Sequence, residues 1–514
     1  MKQNGHLYLE QEILVKDALK VLNKEPDLQP VTETEILKVL YRLVMQDSIV
    51  VEENRVYITK QHQEEEDTAS MIARKLHEQI PALTIEKELE EAQEDLNITL
   101  SEQQKEAVRM VFANPISIIT GGPGTGKTTV LKIILYIYQK KCGNEVKLMA
   151  PTGRAARRMA ESTGSGDATT MHMALGLFGD GDYEVFIDEL SADFINVDEV
   201  SMVDMHLAYE FFYKVKAGAR VLLVGDVHQL PSVGAGDVFR HLILCGKIPV
   251  TVLKLVYRQG KDSNIPINAQ LINEGKTNLQ WGDDFQMVEC SGADAAAQIV
   301  KNIYLKEIQM YGMEQVQILS PYKVRSAAGV LELNRSLQDE VNPPVSGKRE
   351  LHLGGEIFRE GDRILQNKNT EFASNGDLGT LVQIAEDEDN NPLVQIVFTD
   401  GRRVKYEAEQ VEMIEHANAI TIHKSQGSEC QVVIIPWLKA FYPMLKRNIF
   451  YTGITRAKQR VYIVGEWKAV CQAIHTDDTG TRKTMLAVKI QQYYERYRRQ
   501  ENRRISATIC NRAV

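Results

Sequence analysis

SIITGGPGTGKTTVLKI, Ser117 to Ile133, decides how this chain is read. A short apolar run ends in a glycine cluster, then a lysine, two threonines and a helical pattern. Gly121, Gly126, Lys127 and Thr128 satisfy G-x-x-x-x-G-K-[ST]. Gly122, Pro123, Gly124, Thr125 and Gly126 form a loop whose backbone N–H groups cup phosphates. Lys127 reaches the β- and γ-phosphates of a nucleoside triphosphate, and the Thr128 hydroxyl ligates Mg²⁺. Thr129 follows on a helix whose positive end faces the anion.

A phosphate loop needs an acid for its metal. DFINVDEVSMVD supplies an apolar strand ending in Asp198 and Glu199. Asp198 is expected to hold Mg²⁺ through water, and Glu199 to orient or deprotonate an attacking water. An isolated Asp-Glu pair at a strand end would read as surface; downstream of this loop it reads as function. A third strand, VLLVGDVHQLPSVGAGD, ends in Asp226 and Gln229. A glutamine at a strand tip can sense the γ-phosphate and shift when it leaves.

Short apolar runs alternate with helical segments from about residue 96: ISIIT, VKLMA, FINVD, VLLVG, then VQILSP, AITIH, QVVIIPW and RVYIVG. Two series of parallel strands predict an α/β protein of two lobes with a cleft between them. Lobe one is expected over 96–242, and lobe two over 243–351 and 413–480. Between the parts of lobe two, 352–412 reads as a small β-barrel insert of short strands separated by turn residues. Residues 1–95 are helical, TETEILKVLYRLVMQDSIVVEENRVYIT has a winged-helix outline, and the acidic stretch after that outline, Glu64 to Asp67, reads as a solvated helical face. Residues 481–514 read as a basic tail, YYERYRRQENRR within it.

The rest of the composition narrows the class. At 514 residues the chain exceeds one ordinary core. With 43% apolar and 25% charged residues it is an ordinary globular sequence. No h-region and no run long enough to span a bilayer is visible. Six cysteines lie scattered without C-x-x-C, which argues against disulfides and zinc and for a reducing cytoplasm. The net charge of -10 weighs mildly against nucleic acid, yet a channel lining can be locally basic in an acidic protein.

In order, LSEQQKEAV, APTGRAARRM, TTMH, VDEVSMVD, GDVHQLPSVGAGD, LVYRQ, ITIHKSQGSE and YTGITRAKQR resemble the motifs of a superfamily-1 helicase. SPYKVRSAAGVLELN and ASNGDLGT are similar to elements of its RecD-like, 5′-to-3′ branch (1B). The resemblance covers about 96–475. It implies two RecA-like lobes, an SH3-like barrel, ATP and Mg²⁺ as cofactors, and a repair or recombination enzyme that moves on single-stranded DNA and opens junctions, acting as a monomer. It places Gln104 on the adenine, Gly427 and Glu429 at the nucleotide, and Arg258 and Arg456 on the phosphates from lobe two. The strand track it implies runs over Pro151, Thr152, Gly153, Arg154, Thr170 and His172 from lobe one, and Thr421, His423, Lys424, Ser425 and Gln426 from lobe two. Arg363, Gln366 and Asn369 are the expected barrel contacts, and a hairpin at 175–186 the expected duplex-splitting pin. Two features depart from the family: helix-hairpin-helix material of its larger bacterial type is not seen, and Ser232 replaces a proline. An RNA-acting or protein-stripping translocase, and a non-catalytic scaffold, are the competing readings; the Lys127, Asp198, Glu199 and Arg456 set opposes the last.

Overall fold

The computed structural model describes residues 4–24, 30–143, 145–164, 166, 168–177, 187–254, 263–370, 372–386 and 391–512. Arg258 and residues 178–186 of the expected pin lie outside them.

Lobe one is a six-stranded parallel sheet. Its strand order is Ala168–Thr170, Val146–Ala150, Phe194–Val197, Arg220–Gly225, Ile116–Gly121 and Val250–Leu253. The phosphate-loop strand is buried at every position, as an apolar run covered by helices on both faces must be. The last strand lies beyond the expected boundary at 242: Val250–Leu253 pairs with the phosphate-loop strand, so lobe one continues through it.

Lobe two is a five-stranded parallel sheet, ordered Phe285–Glu289, Ala457–Gly465, Cys430–Trp437, Val316–Ser320 and Ala419–Thr421. Its core centres on the fully buried Trp437, whose indole N–H donates to Ala469 O at 3.1 Å. The insert is an antiparallel five-stranded sheet with its own small core, spanning Arg363–Gln366 to Ile414–His416, beside a hairpin of Glu350–Leu353 and Glu356–Arg359. Its strands therefore overrun the expected 352–412 at both ends.

The N-terminal module has the expected winged-helix outline. Strands Tyr8–Glu10, Ile49–Glu52 and Arg55–Ile58 form one antiparallel sheet beside helices Gln11–Leu22 and Glu33–Met45. Thr32 and Glu35 close a capping box at the second helix.

Two expectations are corrected here. The acidic run in helix Thr59–Leu76 is not a solvated face, and the basic tail is an integral helix, Leu486–Arg512. Glu65, fully buried, accepts from Thr484 Oγ1 at 2.6 Å and Met485 N at 2.7 Å. Glu66 pairs with the buried Lys489 at 2.6 Å. Leu486 and Ile490 enter a core shared with the back of lobe one, so the two charged stretches fasten the chain's ends to that lobe. Among the described residues no helix is long and apolar enough to cross a membrane.

Candidate functional site

The glycine loop has the geometry its sequence demands. Gly126 caps helix Lys127–Cys142 at φ 85°, in the left-handed region, and a Cβ there would collide with the Gln104 amide. Gln104 itself is buried. Its Oε1 accepts from Ser101 N at 3.0 Å and its Nε2 donates to Thr125 O at 3.3 Å. The structure thus places Gln104 beneath the loop as a brace, with its amide engaged on Ser101 and Thr125. The Lys127 ammonium rests on the carbonyls of Gly121 and Gly122, at 2.6 and 3.0 Å. Those are bonds an incoming phosphate can replace.

Strand Phe194–Val197 delivers the two acids. Asp198 Oδ1 accepts from the Glu199 N–H at 2.9 Å. Burial, then the neighbouring Glu199, pushes the Asp198 carboxyl up to about 6. Glu199 has φ 52°, a left-handed backbone that non-glycine residues rarely adopt. Gln229 is buried with Oε1 unpartnered, while its Nε2 reaches Asp226 at 3.4 Å. The half-buried Asp198 carboxylate and the Thr128 hydroxyl line one cavity, an oxygen donor set that fits Mg²⁺.

Lobe two completes the same cavity, of about 220 Å³. Lys127, Thr128, Asp198, Glu199 and Gln229 line it from one side, and Glu429 and Arg456 from the other. Arg456 is held by Thr452 O, Ser428 O and Thr455 Oγ1 at 3.2 to 3.4 Å. Arg158 also lines this cavity and pairs across the cleft with Glu429 at 2.8 Å. Sequence reasoning missed it. Its signal was available: Arg154 and Arg158 stand four apart on one helix, hence on one face. Gly427, expected at the nucleotide, instead packs where a Cβ would lie 3.1 Å from Thr152, letting its loop close on lobe one.

The lobes also meet through buried bonds. Tyr451 Oη donates to Asp226 at 2.8 Å, and burial beside that carboxylate holds the phenol far above its ordinary pKa, so it remains a donor. Leu230 N donates to Thr452 Oγ1, and Gln426 Nε2 to Leu230 O, both at 3.0 Å. Arg157 pairs with Asp377 and Asp400 of the barrel.

Of the expected track residues, Pro151, Thr152, His172 and Gln426 gather around one cavity of about 250 Å³, with Ser232 and Val233. Thr152 and Thr170 cap the helices that follow them, accepting from Ala155 N and Met173 N. Gly153 begins the first of these helices, against Ser374 of the barrel. His423 is exposed, and Thr421 accepts from Lys424 N. Lys424 is tied to Glu415 at 2.9 Å and to Asn367.

Several side chains are spent inside the protein. Arg363 is buried and donates to Met313 O and Val316 O at 2.8 and 2.9 Å. Gln366 is fully buried between Lys368 O and Tyr406 Oη. Ser425 is buried on Ile422 O, and the Gln426 amide is the cross-cleft bond just described. These four hold structure, whatever backbone contact their loops make. The Arg154 guanidinium is desolvated and faces Arg363, which brings it down to about 10. Asn369 stays exposed, its Oδ1 accepting from Asn375 N at 2.8 Å.

Comparison with known proteins agrees with this geometry. An AAA domain family matches residues 99–293, the SH3 domain of ATP-dependent RecD-like DNA helicases matches 333–398, and a UvrD-like helicase C-terminal domain matches 416–464. The ATP-dependent RecD2 DNA helicase of Deinococcus radiodurans is 35% identical over 370 residues, 72% of this chain and 50% of the relative. The chain thus spans half that relative's length. The RecBCD enzyme subunit RecD of Mycolicibacterium smegmatis is 28% identical over 75% of each chain. Among solved structures, Pif1 helicase from Candida albicans aligns with TM-score 0.44 at 17% identity, covering 78% of this chain and all of that one. Three helicase-type domain matches thus fall in order on the two parallel-sheet lobes and the barrel, and the chain is similar to RecD-like DNA helicases.

Proposed function

We propose that the chain hydrolyses ATP to move 5′-to-3′ along single-stranded DNA and to open duplexes, in repair or recombination. The observation that carries this is Arg456 of lobe two lining one cavity with Lys127, Asp198 and Glu199 of lobe one. ATP drawn into that cavity exchanges the loop carbonyls on Lys127 for phosphate oxygens. Thr128 and Asp198 are the residues that would hold Mg²⁺, which neutralises charge on the β- and γ-phosphates. Glu199 orients the attacking water, and Arg456 neutralises the charge that builds on the γ-phosphoryl oxygens. Gln229, with its free acceptor, registers whether that group is present.

Because the cations come from both lobes, ATP favours a closed cleft and hydrolysis relaxes it. The track runs along the cleft's rim, so each cycle slides one lobe along the strand. Hydroxyls and backbone groups there suit phosphate contact without sequence choice. Stacking costs on average roughly 1.4 kcal/mol per base-pair step, well within one ATP, so a fixed obstacle on the moving track suffices as a wedge. The nucleic-acid assignment draws support from the relatives, whose names specify DNA helicases and RecBCD subunits.

The test is unwinding of duplexes bearing a 5′ or a 3′ single-stranded tail, with an RNA-tailed control. Opening of the 5′-tailed DNA alone is expected. Preference for the 3′ tail overturns the polarity, and equal use of RNA overturns the substrate.

A further inference from the structure

Arg482 lies outside every matched motif, in the segment that leads from lobe two back to lobe one. Its Nη1 donates to Ser232 Oγ at 3.3 Å, Gly234 O at 2.9 Å and Gly236 O at 3.0 Å. All three acceptors belong to one loop. That loop begins at Gln229, in the nucleotide cavity, and carries Val233, 85% exposed, at the strand-track cavity. Its near end is fixed to lobe two through Leu230.

The far end is glycine-rich and would be loose if left alone. On one side it is pressed against the start of helix Met205–Lys214: Met205 N donates to Ala235 O at 3.0 Å, and a Cβ at Gly234 would collide with Asp204. On the other side stand Arg482 and the N-terminal segment. Gly236 N donates to Gly5 O, and Leu7 N to Lys483 O, both at 2.9 Å. Arg482 thus closes a clamp on the glycine-rich part of the loop, where the loop's own side-chain bond is that of Ser232 to Gly234 O.

We propose that Arg482 is a positioning residue that keeps residues 229–236 a stiff lever, so that nucleotide state at Gln229 reaches the strand at Val233. This rests on the motor reading above. Removing the guanidinium takes the donor from Gly236 O and leaves Gly234 O to the Ser232 hydroxyl alone, which lets the lever bend, so hydrolysis continues while less of it becomes movement.

The experiment compares the full chain with R482A and R482K. It measures ATPase without DNA, ATPase with saturating oligo(dT), base pairs opened per ATP on a 5′-tailed duplex, and thermal midpoint. R482A is expected to keep DNA-free ATPase within about twofold while base pairs per ATP fall about tenfold. R482K, which can still donate to two carbonyls, is expected to lose about threefold. An unchanged ratio in R482A, or a drop matched by an equal drop in DNA-free ATPase, overturns the proposal. Should R482A fail to fold, R482K decides, and a wild-type ratio there overturns it. If the unmutated chain shows no DNA-stimulated turnover, the motor reading is what has failed.

Discussion

In lobe one, strand Ile116–Gly121 opens into a glycine loop that leads to helix Lys127–Cys142 through the left-handed Gly126. In lobe two, strand Val316–Ser320 ends closed on itself, with Ser320 Oγ donating to Ala328 O at 2.9 Å. Both lobes are parallel sheets covered by helices. One can hold a triphosphate; the other brings Arg456 and Glu429 to its edge. A repeated architecture thus serves two unequal tasks, and neither half has a complete site. On the proposed function, chemistry is confined to the moments when the seam is shut.

Substitutions on the two sides should therefore fail differently. Arg456→Ala is expected to lower kcat by about 10³–10⁵ while ATP affinity changes little, because the arginine acts on transition-state charge. Single-turnover ATPase beside equilibrium nucleotide binding separates the two effects. Lys127→Ala should lower turnover by about 10²–10³ and weaken ATP binding as well, with fold and strand binding retained. If the two variants gave the same split between KM and kcat, the division of labour would be wrong.

The seam itself is probed by Arg157→Ala. Asp377 keeps Arg402 at 2.8 Å, so no buried charge is orphaned. The loss should be about 1 kcal/mol of closure, a roughly fivefold rise in KM for ATP. The smallest effect concerns what belts lobe one alone. His206 on its outer helix bonds Glu64 of the N-terminal module at 2.8 Å, which raises the imidazole above its ordinary pKa. Stability from a raised pKa is fully present below the unfolded value and lost as pH rises through the folded one. His206→Ala should therefore cost about half a kcal/mol near pH 5.5 and almost nothing near pH 9, read from denaturation midpoints.

The strands were legible because a parallel strand covered on both faces must be a continuous apolar run, and ISIIT, VKLMA and QVVIIPW are that. The phosphate loop was legible because its backbone tolerates few residues other than glycine. Burial of charge was not legible. Arg363 and Glu65 carry side chains that usually meet water, and tertiary partners explain their interior places: Met313 O and Val316 O for the arginine, Thr484, Met485 N and Lys489 for the glutamate. The helix Leu486–Arg512 looked like a tail because its arginines dominate the composition, while its anchors are the apolar Leu486 and Ile490 together with Lys489 and Tyr493 on Glu66. Arg482 left no local trace, since its acceptors are carbonyls some 250 residues away.

Glu199 holds its left-handed backbone at a cost of about 1–3 kcal/mol, which the surrounding fold must absorb. Glycine or asparagine would sit there at ease, so the sturdier protein would be the inert one. Selection for robustness alone would erase the carboxylate, and the tension at that one peptide persists only because work is demanded of it.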